Sequence, residues 1–163
     1  MKPTELLALL QDFYRERLAL FDRHVKGAQA VADYEINNTY QYIIVREETH
    51  LTWLRTALVD LGGDVPAEFQ ALAVPARGAG EPRQHAVIED DLQQQRDFVE
   101  RWTPRVEAIT HARHRNMLKV VLGEALEHRR FFEQALAGRD DLLGRRRGGA
   151  TTGGGVLPVR WVE

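Results

Sequence analysis

The segment Arg46–Leu54, which reads REETHLTWL, decides both the fold and the candidate chemistry of this chain. It places Glu47 and His50 three residues apart, so in a helix both side chains lie on one face. Apolar side chains occupy the same face at helical spacing: Ile43, Leu51, Leu54 and Leu58. A carboxylate and an imidazole that point into an apolar core need a reason to be there. The two explanations are a bound metal ion and a hydrogen-bonded polar patch that performs no chemistry.

The composition is that of an ordinary globular protein. The chain has 163 residues, of which 28% are charged and 44% apolar, and its formal net charge is -2. A balanced charge gives no basic field for nucleic acid or for an anionic membrane. The chain has no cysteine and no serine, which removes disulfides, thiolate metal sites and a serine nucleophile. With no signal-peptide pattern and no run of 18 apolar residues, we expect a cytoplasmic protein without membrane or nucleic-acid partners.

Apolar residues recur with a period of about 3.6 in four segments, which predicts four helices. The expected helices cover residues 4–31, 33–61, 84–103 and 111–137, with Thr4 and Asp33 as N-caps. Pro104 should end the third helix or begin the next. The short join after residue 31 favours antiparallel packing of the first two helices. Residues 62–83 contain four glycines and three prolines and are long enough to cross from one end of a bundle to the other.

This pattern predicts one all-α domain, an antiparallel four-helix bundle over residues 1–137, followed by a tail over residues 138–163. Seven of the thirteen glycines and the run Arg145–Arg147 lie in the tail, which we expect to be flexible. Its last residues, Val156–Glu163, are apolar again and include Trp161. They are candidates for docking on this bundle or on a neighbouring subunit.

Polar residues also interrupt the apolar stripes of the other helices. The candidate metal ligands, taken from all four helices, are Glu16, Glu47, His50, Asp91, Glu124, Glu127 and His128. In an antiparallel hairpin, two residues at one level are equally far from the turn. Glu16 and Glu47 satisfy this condition for the first hairpin, and Asp91 and Glu124 satisfy it for the second. The spacing is therefore compatible with one site in the middle of the bundle.

On these residues the chain resembles the ferritin-like superfamily, which includes rubrerythrins, bacterioferritins and related di-iron carboxylate proteins. That family takes one Glu from each of two helices and a Glu-x-x-His from each of the other two. Glu16 matches the first helix, and Glu47 with His50 matches the second. The resemblance implies two iron ions per chain, or manganese, held by the candidate ligands. It also implies reaction with oxygen, peroxide or iron, a small oxidant as substrate, and homo-oligomers.

Two positions depart from the family pattern. Helix three offers Asp91 where the family has Glu. Helix four reads Glu124-Ala125-Leu126-Glu127-His128, so a strict Glu-x-x-His would need its His at position 127. Either His128 substitutes from the next position, or Glu127 is itself a ligand, or this half of the site is degenerate. Two functions follow: a di-iron oxidoreductase, and a metal-free bundle that acts in structure or interaction. The sequence assigns no catalytic residue.

Overall fold

The computed structural model describes residues 1–75, 78–139 and 141–144, and this part of the chain forms four α-helices and no strand. The all-α prediction is therefore confirmed. The helices are α1 (Pro3–Ala28), α2 (Tyr34–Asp60), α3 (Glu81–Glu107) and α4 (Ala112–Leu136). Helix α1 packs mainly against α2, and α3 packs mainly against α4.

The helix ends are set by caps, not all of them where the sequence predicted. Asp33 caps α2 as expected, since its carboxylate accepts a hydrogen bond from the Ile36 N–H at 2.9 Å. The prediction of Thr4 as the cap of α1 is wrong. The cap is Lys2, whose backbone N–H donates to the Glu5 carboxylate at 2.7 Å. Pro3 can then occupy the first helical position, where no N–H is needed.

Helix α3 is longer than predicted at both ends. At its C-terminal end it continues beyond the predicted residue 103 because Pro104 does not stop it. The proline lies inside the last turn, and the Ala108 N–H still donates to the Pro104 carbonyl at 3.2 Å. A proline inside a helix removes one hydrogen bond, at a cost of about 3 kcal/mol. Burial of Trp102 and Val106 on either side of it favours continuing the helix. Thr103, the residue before the proline, is also inside the helix, and its hydroxyl donates to the Val99 carbonyl at 2.7 Å.

Each helix buries one stripe whose members alternate at spacings of three and four residues. In α1 the stripe includes Leu10, Phe13, Arg17, Leu20 and His24, all buried. The stripes build two apolar clusters, one around Phe13 and Trp102 and the other around Tyr40 and Phe132. Polar members of the stripes occupy the level between the two clusters. The bundle therefore has an apolar core at each end and a polar layer in its middle.

The connection between α2 and α3 contains no helix in its described residues, and it is tied to the bundle by polar contacts. Gln11 donates to the Asp64 carbonyl at 3.0 Å, and the Arg23 guanidinium donates to the Ala73 carbonyl. The loop thus closes over one side of the polar layer.

Beyond α4, the described residues of the predicted tail include a buried Leu142. The predicted flexibility of the Gly/Arg-rich segment and the docking of Trp161 concern residues outside the described part. Among the described helices, none has the length and apolar character needed to cross a membrane.

Candidate functional site

The candidate site is the polar layer in the middle of the bundle. Eight charged or polar side chains in it have no exposed surface. They are Arg17, Arg23 and His24 from α1, Glu47 and His50 from α2, Asp91 and Gln95 from α3, and His128 from α4. Side chains of these types are almost never fully buried without partners, so their contacts decide what the layer can do.

Glu47 is the centre of the layer. The His24 Nδ1 lies 2.9 Å from both of its carboxylate oxygens, and the Arg17 Nη2 lies 3.2 Å from its Oε1. Burial alone would raise the pKa of Glu47, but the positive charges of His24 and Arg17 outweigh it and lower the pKa to about 2. Glu47 is therefore a paired, ionised carboxylate at neutral pH.

His50 links Arg17 to the edge of the layer. Its Nδ1 is 3.2 Å from the Arg17 Nη2, which can only donate, so Nδ1 accepts. Its Nε2 lies 2.9 Å from the Glu124 carboxylate and carries the proton. Burial, and then the Arg17 charge, lower the pKa of His50 to about 4. His50 is thus a neutral imidazole with both nitrogens in use. Glu124 is also bound by the Arg46 guanidinium, whose Nε donates at 2.8 Å.

Asp91 forms the second centre, on the side of the loop. The Arg23 Nε donates to it at 2.8 Å, and the Tyr40 hydroxyl donates to its other oxygen. The same guanidinium forms an ion pair with Asp90, whose carboxylate lies 2.7 Å from Nη2. Gly27 lets α1 approach this point closely, because a Cβ at this position would lie 3.3 Å from the Asp91 Oδ2. A small residue at the end of α1 therefore makes room for the carboxylate.

The two remaining histidines have opposite pKa shifts. Burial alone would lower the pKa of His24, but Glu47 and its hydrogen bond raise it above the ordinary value. For His128 burial dominates and lowers the pKa to about 3. Neither ring nitrogen of His128 has a hydrogen-bond partner among the described residues, and its Nδ1 lies 4.0 Å from the Glu47 Oε1. Of these two imidazoles, His24 is shifted towards its charged form, and His128 is held in its neutral form.

The structure gathers five of the seven candidate ligands around this layer. Glu47, His50, Asp91 and His128 are inside it, and Glu124 closes one edge. The other two lie elsewhere. Glu16 accepts hydrogen bonds from the Trp102 Nε1 at 2.9 Å and the Arg101 Nη1 at 3.0 Å, on the surface between α1 and α3. Glu127 is exposed and accepts a hydrogen bond from the Tyr42 hydroxyl at 3.3 Å.

Four residues of the layer were not among the candidates: Arg17, Arg23, His24 and Gln95. For two of them, Arg17 and His24, the signal was present in the sequence. They continue the alternating spacing of Leu10, Phe13 and Leu20. Glu16 and Arg17 both lie three or four residues from Phe13 and Leu20. The two residues differ only when the stripe is continued to His24. The alternating spacing of three and four residues then passes through Arg17 and identifies it as the buried residue.

The layer does not fit the ligand set of a di-iron carboxylate centre. The described residues contain no group of three or more His, Asp or Glu side chains arranged to hold a metal ion. The reason is visible at Glu47 and His50. Glu47 already accepts from two cationic groups, and both nitrogens of His50 are in hydrogen bonds. The Arg17 guanidinium, a fixed positive charge, lies where the side chains of Glu47 and His50 converge.

The carboxylates of the layer also have cationic partners without a metal ion. Four carboxylates take part, those of Glu47, Asp90, Asp91 and Glu124. Facing them are three guanidinium groups and the His24 imidazole, whose raised pKa favours its charged form. A divalent cation would add two positive charges to a layer whose carboxylates are already paired with cationic groups. Burying uncompensated charge costs several kcal/mol per ion even after relaxation.

Comparison with models of protein families finds none that matches this sequence, and comparison with curated proteins finds no significant relative.

Proposed function

We propose that this chain is an antiparallel, ferritin-like four-helix bundle that works without a resident metal, as a structural or interaction protein. Three features support the fold assignment: four helices of 25 to 27 residues, the long connection after α2, and a polar layer at one level of all four stripes. Antiparallel packing is supported by the apolar clusters, because one cluster contains Leu6 near the start of α1 and Leu58 near the end of α2. The other cluster contains Ala28 at the end of α1 and Tyr40 in the first half of α2.

The observation that carries this proposal is the buried Arg17. Its guanidinium is fully buried, contacts Glu47 and His50, and lies 5.5 Å from the centre of the Phe98 ring. In the ferritin-like arrangement this level of the first helix supplies a carboxylate ligand. Here it supplies a cation, which takes the electrostatic place of the metal and uses the lone pairs that a metal would need. Large apolar side chains exposed on α2 and α4 support a role in protein association.

The second candidate is a di-iron or di-manganese oxidoreductase, and one observation favours it. The His24 Nε2 and both ring nitrogens of His128 have no hydrogen-bond partner among the described residues. Buried imidazole nitrogens of this kind are the usual ligands of transition metals. This function would require Arg17 to leave Glu47 and His50, so that Glu47, His50, His128 and Glu124 could bind the ions.

Metal content decides between the two. The protein is purified from cells grown with added iron and manganese, then titrated with Fe(II) and Mn(II) without oxygen and analysed by mass spectrometry of the metals. We expect substoichiometric metal and an unchanged melting temperature on titration, because Arg17 holds the ligands. Close to two ions per chain would overturn the proposal, provided that Glu47→Ala loses them. The variant Glu100→Gln, on the exposed face of α3, serves as the matched control and should behave as the wild type in either case.

A further inference from the structure

Exposed apolar surface is distributed unevenly over the four helices. Among the described residues, the large exposed apolar side chains of the helices all belong to α2 and α4. They are Tyr34, Tyr42, Val45, Trp53 and Val59 on α2, and Val120 and Leu126 on α4. Helices α1 and α3 have none. Clusters of exposed apolar residues on one side of a soluble protein mark interaction surfaces.

The outer face of α2 carries a regular, uncharged stripe, the α2 outer stripe. Its members are Val45, Thr49, Thr52, Thr56 and Val59, at alternating spacings of four and three residues. Val45, in the middle of α2, and Val59, next to its last residue, are 59% and 63% exposed, which is unusual for valine in a helix. Four-three spacing of uncharged residues is the pattern with which a helix packs along another helix. The buried stripe of α2 already packs in the bundle, so this second stripe has no partner within the part of the chain that the structure describes.

The three threonines make this face less polar than its composition indicates. Each hydroxyl donates to the carbonyl four residues earlier in the helix: Thr49 to Val45 and Thr52 to Glu48 at 3.0 Å, and Thr56 to Thr52 at 3.1 Å. A hydroxyl that is satisfied within its own helix needs no donor or acceptor from a partner. The stripe can therefore be covered by an apolar surface without leaving an unsatisfied hydroxyl proton.

We propose that the partner of the α2 outer stripe is the same stripe in a second copy of this chain, related by a two-fold axis with the two α2 helices antiparallel. This inference rests on the proposed interaction role and names its partner. Charge placement argues for a second copy. The acidic Glu48 and the basic Arg55 both border the stripe on the side of α1, and their midpoint coincides with its centre near Leu51.

The two-fold brings these charges together. Consider two α2 helices paired antiparallel, with Thr49 opposite Thr52 of the partner subunit. The residues along one border of the stripe then face the residues along the same border of the partner's stripe. Glu48 then faces Arg55 of the partner subunit, and the symmetry repeats this pair, as an isologous interface requires. Glu48 forms no ion pair within the described chain, and Arg55 uses its Nε to donate to Tyr14 at 2.9 Å. On the other border, Trp53 enlarges the contact.

The proposal is tested with the full chain by sedimentation velocity and by light scattering after gel filtration, over a range of concentrations. We expect a dimer for the wild type. Thr52→Glu places a charge at the centre of the interface and should raise the dissociation constant at least about tenfold, because like charges across an interface cost several kcal/mol. Ala8→Glu puts the same charge on the exposed face of α1 and should leave the dimer intact.

Charge reversal tests the antiparallel geometry. Glu48→Arg alone sets arginine against Arg55 of the partner subunit and should weaken the dimer, whereas Glu48→Arg combined with Arg55→Glu should restore it. A monomeric wild type, or an unchanged dimer in Thr52→Glu, would overturn the proposal; a double variant as weak as Glu48→Arg would overturn the antiparallel pairing. Thermal melts establish that each variant is folded. Metal content is measured separately, so failure of the dimer is distinguishable from failure of the metal-free assignment.

Discussion

Arg17 is the residue on which the interior of the bundle depends. Burial lowers its pKa, while the charges of Glu47 and Glu124 oppose that shift. The variant Arg17→Met replaces the guanidinium-bearing side chain by a shorter, uncharged one, so Glu47 keeps only His24 as a close cationic partner. We expect a loss of about 3–5 kcal/mol in the free energy of unfolding, as for other broken buried ion pairs. Urea denaturation measures it.

The control for this experiment is Arg15→Met on the same helix. The Arg15 side chain is 45% exposed and its ion pair with Asp12 is on the surface. Such pairs contribute about 0–1 kcal/mol, so this variant should unfold almost as the wild type does. Equally small losses in the two variants would contradict a stabilising role for the charge pairing of Arg17.

Arg17 also shows what the sequence could and could not determine about the site. The polar layer itself was predictable, because Glu47, His50 and His128 interrupt apolar stripes at helical spacing. Which residue of α1 enters the layer was not predicted, since Glu16 and Arg17 both satisfy spacings of three and four. Glu16 was selected because carboxylates bind metals. The structure places Glu16 beside Arg101 and Trp102, and the longer stripe from Leu10 to His24 selects Arg17.

Two helical glycines should respond oppositely to alanine. Gly123 is exposed in α4, and a Cβ there would meet nothing within 4 Å. Gly123→Ala should therefore raise the free energy of unfolding by about 0.5–1 kcal/mol through helix propensity alone. At Gly27 a Cβ would lie 3.3 Å from both the Asp91 Oδ2 and the Val87 Cγ1. Gly27→Ala should bring no gain, because the Asp91 and Val87 side chains must shift to admit the added methyl group. Equal gains in urea denaturation would contradict the close approach at Gly27.

The helices were predictable from periodicity, and their ends less so. Asp33 was identified as a cap because its side chain and position agree, and the structure confirms it. Pro104 misled the prediction for a physical reason. The local rule gives a cost of about 3 kcal/mol for a proline inside a helix. Burial of Trp102 and Val106 by contacts with distant parts of the chain opposes that cost. Such contacts are not visible in the local sequence.

At the scale of the whole molecule, the polar layer joins the four helices by contacts that cross the bundle. Glu47 connects α2 to α1, Asp91 connects α3 to α1 and α2, and Glu124 connects α4 to α2. Such networks favour one arrangement of helices, because any other register leaves buried charges unpaired. The sequence predicted that charges meet in the middle of the bundle. The pairing of these charges depends on side-chain geometry across four helices. The periodicity of the sequence contains no information about that geometry.

The same layer should make the fold sensitive to acid. In the unfolded chain His50 and His128 bind protons near pH 6.5, whereas in the fold their pKa values are about 4 and about 3. Stability is therefore lost as the pH falls below about 6.5, with a slope that approaches roughly 2.7 kcal/mol per pH unit for two protons. His24, whose pKa is raised, has the opposite effect as the pH falls towards about 6.5, and it adds little slope well below that pH, where both states bind its proton. Glu47, with its pKa of about 2, adds a further loss only below about pH 4.5.

Urea denaturation at several pH values between about 7 and 5 measures this slope. The variant His128→Leu removes one of the two buried neutral imidazoles and should roughly halve the slope while it retains the fold. This variant should lower the free energy of unfolding only slightly at neutral pH, because neither ring nitrogen of His128 has a hydrogen-bond partner among the described residues. A wild-type stability that is constant over this range would show that His50 and His128 are not held neutral by the fold. An unchanged slope in His128→Leu would place the acid sensitivity elsewhere in the molecule.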